Sequence, residues 1–140
     1  MVAEKFLIAI VLTISASSTH AEESKHAEEV PDSYSLEAPA YYYNKAIETC
    51  PTTVRGYNVA CLKKLLGKAD RDLDAVYKGR FSYLPSSEFD GLKAAQQAWA
   101  LSREKNCSWL DKGRKTDIYY LCMLEGSINR NYWLLRNIGD

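Results

Sequence analysis

The chain has 140 residues, 46% of them apolar, which leaves room for one globular domain and not two. Its formal net charge is zero, yet residues 22–49 hold seven acids and two bases while residues 50–140 hold ten acids and fifteen bases. A basic domain with an acidic arm can associate with itself or with an acidic surface; the plainer reading is two solvated segments of different composition.

The opening residues read as a signal peptide, 1–21. Lys5 supplies a positive start, offset by Glu4, and Phe6 to Ile14 is an apolar run. Thr19-His20-Ala21 then gives small residues at the −3 and −1 positions, so cleavage is expected after Ala21. The run falls short of the about 20 residues that a membrane span needs. No cysteine follows it to take a lipid, and no second apolar stretch of spanning length follows. The expectation is a periplasmic or secreted protein with no membrane anchor after cleavage.

Residues 22–49 are acidic, contain Pro31 and Pro39, and carry the run Tyr41-Tyr42-Tyr43. They read as a mostly disordered arm, with a short helix over Tyr42–Glu48 as an alternative. The tyrosines either dock on the domain or bind a partner themselves.

From Thr53 the pattern turns helical. Val54, Tyr57, Cys61, Leu62, Leu65, Leu66, Ala69, Leu73, Val76, Tyr77 and Phe81 make one apolar face. Gly67 and Gly79 weaken it by about 1 kcal/mol each, and Pro85 ends it. Ser87 and Asp90 read as a capping box for a second helix. Its face is Leu92, Ala95, Gln96, Trp99 and Arg103, running out near Cys107. Ser108–Lys115, with Gly113, reads as a loop. Thr116 caps a third helix with Asp117 in its first turn and a face of Ile118, Leu121, Cys122, Ile128, Tyr132 and Leu135. Residues 50–140 are thus predicted to be an all-α, disulfide-linked antiparallel three-helix bundle. A reversal near Leu84–Pro85 sets Trp99 level with Asp70, Leu92 with Tyr77, and Cys107 with Cys61.

Four cysteines, Cys50, Cys61, Cys107 and Cys122, in a small exported domain read as two disulfides. Zinc is disfavoured: no two are closely spaced, and both histidines, His20 and His26, precede the domain. If residues 50–61 were all helical, Cys50 would lie about 16 Å from Cys61. A disulfide needs Cα atoms within about 7 Å, so that pairing requires an unwound start. Cys50–Cys107 with Cys61–Cys122 is slightly preferred, and the other two connectivities stay open.

A domain without histidine has no Ser-His or Cys-His pair. Asp70 and Asp74 lie one turn apart, but a bundle this small rarely encloses a substrate cleft, so binding is expected rather than catalysis, with no cofactor or metal. Gln96, Trp99 and Arg103 share a face and read either as a recognition stripe or as structure. In the structural reading Trp99 fills the core, Gln96 bonds a neighbour, and Arg103 pairs with Asp70 or Asp74. Trp109, Trp133, Tyr119, Tyr120 and Tyr132 read equally as an exposed aromatic patch or as half-buried packing. Lys112, Arg114 and Lys115 read as a solvated loop, and a modestly basic exported domain makes nucleic acid an unfavoured partner.

Three segments carry a resemblance. Ala69-Asp70-Arg71-Asp72-Leu73-Asp74-Ala75-Val76-Tyr77 resembles the "AD..LN..Y" helix of the LprI-like family, with Asp74 in place of the usual Asn. Leu92-Lys93-Ala94-Ala95-Gln96-Gln97-Ala98-Trp99, then Arg103 and Cys107, resembles its "L..AQ..W...R...C" helix. Cys122, Arg130 and Leu134 resemble its closing helix. The resemblance implies Tyr77, Gln96, Trp99, Arg103 and Arg130 as structural motif residues. It also implies an exported helical module that binds a protein partner and inhibits lysozyme. Against a basic lysozyme, complementarity would call on Asp70, Asp72 and Asp74 or on the acidic arm, with Trp109 as an apolar contact. The alternative is a non-catalytic envelope structural or interaction domain without lysozyme activity.

Overall fold

The computed structural model describes residues 30–32 and 34–139. The expected signal peptide with its cleavage site, and residues 22–29, lie outside the described residues. Four helices follow in order: α1, Ala38–Glu48; α2, Val59–Arg80; α3, Phe89–Leu110; and α4, Asp117–Asn137. A two-strand antiparallel hairpin, β1 (Thr52–Thr53) and β2 (Gly56–Tyr57), separates α1 from α2. The three long helices are the all-α, disulfide-linked bundle read from the sequence. Helix α4 is its central element and packs against α2, α3 and α1.

Residues 38–48, expected within a mostly disordered arm with a short helix over Tyr42–Glu48 as the alternative, form α1, about one turn longer than that alternative, and dock on α4. Pro39 near the N-terminus of α1 costs no helical hydrogen bond there, and Ser35 Oγ accepts from the Ala38 N–H at 3.2 Å. The Tyr42 ring stacks on that of Tyr132 in α4, centroids 5.3 Å apart. The preceding segment is also tied down: Arg136 Nη1 donates to the Ser35 carbonyl at 3.0 Å.

The start of α2 differs from expectation. Residues 52–57 form the hairpin rather than the first helical turns, and Asn58 caps the helix by accepting from the Cys61 N–H at 3.0 Å. Val54, placed by its spacing on the helical core face, is fully exposed at the hairpin tip. The hairpin is the unwound start that a Cys50–Cys61 bridge requires. The disulfides are therefore Cys50–Cys61 and Cys107–Cys122, with Cα separations of 5.7 and 5.6 Å. The preferred Cys50–Cys107 and Cys61–Cys122 pairing is corrected, because it assumed helix from residue 50 onward.

Gly56 fixes the hairpin. Its φ of +111° is open to glycine, and a Cβ there would lie 2.1 Å from Asp117 Oδ2. The same carboxylate accepts from the Tyr57 N–H at 3.1 Å, fastening the hairpin to the first turn of α4. Gly56→Ala is expected to cost about 1–3 kcal/mol, read as a lowered melting temperature. In an Asp117→Ala background the clash is gone and the backbone strain remains, so part of the loss should disappear. Equal losses in both backgrounds would show that the carboxylate contact is immaterial.

Helix α2 gives way to a 3₁₀ turn, Phe81–Tyr83, and Leu84 is extended ahead of Pro85 as that proline demands. The Ser87–Asp90 capping box does not form: Ser86–Glu88 is a second 3₁₀ turn, and the N-cap of α3 is Glu88 without a side-chain bond. Helix α3 continues past Cys107 to Leu110, so Trp109 sits in its last turn rather than in the loop. Thr116 holds the N-cap position of α4, but its hydroxyl bonds Asp111 rather than the helix.

The buried face of α4 is rotated by about one residue from expectation. Tyr119, Met123, Leu124, Ser127 and Leu134 are buried, whereas Ile118 is 47% exposed. A central helix has several covered sides. The expected stripe through Ile128 and Tyr132 is the side that meets α1, as a lining of the groove between them. Ala95 of α3, expected in the core, is exposed.

Candidate functional site

Two apolar clusters fill the bundle. One holds Leu73, Leu92 and Leu134, with Tyr77, Phe81 and Trp99 packed on it; the other holds Cys107, Tyr119 and Met123, with Leu66 and Tyr120. A polar seam separates them. Arg103 Nη1 donates to Asp70 Oδ1 at 2.8 Å and to the fully buried Ser127 hydroxyl, which in turn donates to Asp70. Arg130 Nε donates to Gln96 Oε1 at 2.9 Å. Trp99 presents its ring to both guanidinium carbons, 4.7 Å from Arg103 and 5.7 Å from Arg130. Burial lowers the Arg130 guanidinium from its ordinary value.

The structure thus places Tyr77, Gln96, Trp99, Arg103 and Arg130 together inside the bundle. Sequence reading missed Ser127, the hydroxyl that joins Arg103 to Asp70, and Gly126 beside it. A Cβ at Gly126 would lie 2.9 Å from Arg103 Cδ, so its absence lets the arginine cross α4. A glycine in mid-helix, adjoining a serine, was the available signal.

The three acids singled out as partner contacts do not form one free surface. Asp70 points into the seam. Asp72 is paired with Lys68 and Asp74 with Lys78, each at 2.6 Å, one helical turn away. Among the described residues no cluster of His, Cys, Asp and Glu is arranged to hold a metal ion. A groove of about 470 Å³ between α1, α2 and α4 is lined by Tyr42, Leu65, Asp72, Ile128, Asn131 and Tyr132. Burial first, and then the neighbouring Tyr42, push the Tyr132 hydroxyl up to about 12.

The other prominent surface is the end of the bundle where α3 passes into α4. Asp111, fully buried, organises that turn by accepting from the Thr116 N–H at 2.7 Å and from its hydroxyl. Burial alone would raise the Asp111 carboxyl, but the Thr116 hydrogen bonds, with Arg114 and the Lys115 N–H, hold it below its usual value. Lys112 and Lys115 take left-handed backbone, each with φ of +54°, and Gly113 takes φ of +73°. Behind this turn Tyr119 donates to Glu104 Oε2 at 2.6 Å, and burial with that bond pushes its hydroxyl up to about 12. Trp109 stands 78% exposed beside the turn, and Leu110 is 53% exposed. Of the other candidate aromatics, Tyr119 is buried, Tyr120 and Tyr132 are half-buried, and Trp133 is exposed beneath Arg130, 4.4 Å from its ring centroid.

Fold and surface together define a disulfide-stapled helical module whose motif arginines are paired within the bundle and whose α3–α4 end carries exposed apolar and basic side chains. The chain belongs to the LprI family: a family model described as lysozyme inhibitor LprI matches residues 50–134, from the first cysteine into the last turns of α4. No curated protein and no solved structure gives a significant match. Both disulfides belong to an oxidising compartment. No helix among the described residues is long and apolar enough to cross a membrane.

Proposed function

We propose that this chain is exported, loses residues 1–21, and works in the periplasm or outside the cell as a non-catalytic binding module that inhibits a lysozyme. The observation that carries the reading is the family match across 50–134, which spans all four cysteines and the three motif helices. The engagement of Asp70, Arg103, Gln96 and Arg130 with one another supports binding over catalysis, since these polar groups hold the helices and are not gathered around a cleft. Asp72 and Asp74, each neutralised by a lysine, are weak anchors for a basic enzyme. The acidic stretch ahead of the bundle supplies long-range attraction to such an enzyme, which the basic domain by itself would repel.

The test is a titration of a c-type lysozyme with the chain from residue 22 onward, following cell-wall lysis and direct binding. Saturable inhibition at a one-to-one ratio is expected. Binding to envelope material without any effect on lysozyme would replace this reading with that of an envelope interaction domain.

A further inference from the structure

Each disulfide closes a ring around one protruding loop. Cys50–Cys61 encloses the hairpin 51–58, and Cys107–Cys122 encloses the last turn of α3 and the turn 111–116. Both loops converge on the first turn of α4. The hairpin is fastened there through the Tyr57 N–H and Asp117, and the turn 111–116 leads directly into that helix. The bridges therefore do not join distant helices. They hold two loops in fixed shape at one end of the bundle, and buried Asp111 pins the second loop from inside.

What those loops present is unlike a solvated surface. Val54 is fully exposed at the hairpin tip, Trp109 is 78% exposed, and Ile118 is 47% exposed at the start of α4. Interleaved with them are exposed Arg55, Lys112 and Arg114. Other exposed apolar side chains sit apart: Leu101 midway along α3, Trp133 on α4, Tyr83 after α2, and Val30, Tyr34 and Leu36 ahead of α1. Aromatic and basic side chains on rigid, protruding loops have the composition of an interface centre, and the rigidity removes an ordering cost on binding. A basic and apolar tip fits an acidic, aromatic-accepting site. The substrate cleft of a retaining glycan hydrolase is such a site, because it carries two carboxylates close together where the sugar chain lies.

We infer that this disulfide-framed tip enters the substrate cleft of the lysozyme, with Trp109 as its apolar anchor and Arg55 and Lys112 facing the cleft carboxylates. The inference rests on the proposed lysozyme reading and names the surface and the site through which it acts. A cleft-filling tip competes with substrate, so it raises the apparent KM and leaves kcat unchanged. Arg55 and Lys112 then have a local use, while the acidic N-terminal stretch offsets the domain's basic charge at long range.

The experiment is steady-state inhibition of a c-type lysozyme on a soluble glycan, using the chain from residue 22 and three variants. These are Trp109→Ala, the pair Arg55→Glu with Lys112→Glu, and Lys93→Glu as a charge-reversal control at the other end of α3. Thermal melts check that all remain folded. The expected result is competitive inhibition by the parent chain and by Lys93→Glu, with the inhibition constant raised at least about tenfold in each tip variant. Inhibition that lowers kcat at constant KM, or tip variants as potent as the parent, would overturn the tip assignment and leave the lysozyme reading standing. A parent chain that neither binds nor inhibits would overturn both.

Discussion

Reducing both disulfides is expected to unfold the domain at physiological temperature. The bridges span sequence separations of 11 and 15 residues. Closing loops of that length lowers the entropy of the unfolded chain by an amount worth about 3 kcal/mol each in the chain-entropy description. Small domains have about 5–15 kcal/mol in total, so losing about 6 kcal/mol removes much or all of the margin. The two bridges should differ in what else they carry. Cys107 is 2% exposed and packs with Tyr119 and Met123, so Cys107→Ala with Cys122→Ala also empties part of a core cluster. Cys50 is also buried, at 5% exposed, but stands outside both core clusters, so Cys50→Ala with Cys61→Ala mainly frees the hairpin. Urea midpoints of the oxidised, reduced and paired-alanine proteins measure this, with the Cys107–Cys122 pair expected to be the costlier. A reduced protein that melts with the oxidised one would contradict the account, as would two or more titratable thiols in unreduced protein.

The number, type and order of the long helices were legible because their apolar periodicity and the stop at Pro85 are local signals. The pairing of cysteines was not. It turned on whether residues 51–58 were helix or hairpin, and Val54, Tyr57 and Cys61 fit a helical period while Gly56 and Asn58 carry the opposing turn and cap signals. The turn signals prevail because Gly56 alone meets the φ the hairpin needs and Asp117, sixty residues on, accepts from the Tyr57 N–H there. That long-range contact has no trace in local sequence. Helix α1 was obscured for a related reason. Its stretch is short and follows an acidic, proline-containing run, so it is marginal by itself and gains its order by docking on α4, where Tyr42 stacks on Tyr132. Ile128 and Tyr132 of α4 were absorbed into the face expected to meet the other long helices, so nothing in the sequence marked them as the side that α1 covers.

Among the motif residues, helical spacing placed Gln96, Trp99 and Arg103 on one face, and three-dimensional structure adds what they do to one another. The seam keeps two arginines in the bundle interior, where an unpaired charge would be costly. Asp70 and Ser127 serve Arg103, and Gln96 serves Arg130, but Arg103 Nε and Arg130 Nη2 are buried without a hydrogen-bond partner. The Trp99 ring lies against both guanidiniums, and its π face offsets part of that deficit. The tryptophan is therefore the electrostatic complement of the seam as well as its filler. This explains how a half-buried residue can join an apolar cluster on one side and two cations on the other.

Trp99→Ala is accordingly expected to be among the most damaging single substitutions in the domain, and Trp109→Ala among the mildest. Removing the Trp99 indole opens a cavity beside Leu73, Leu92 and Leu134 and takes the ring face from Arg103 and Arg130. Truncating a well-packed tryptophan costs about 3–5 kcal/mol, and water entering to solvate the arginines returns some of that, which points to about 3 kcal/mol. In a domain of this size such a loss lowers the melting temperature by at least about 10 °C. Trp109 is 78% exposed at the end of α3, so its truncation should stay within about 0.5 kcal/mol. Trp99→Phe keeps an aromatic face with a smaller ring and should fall between the parent and Trp99→Ala, which separates the loss of the ring face from the loss of volume. Melting curves of the three variants decide the matter. Equal shifts for Trp99→Ala and Trp109→Ala would mean that the indole between the two arginines does not hold the helices together.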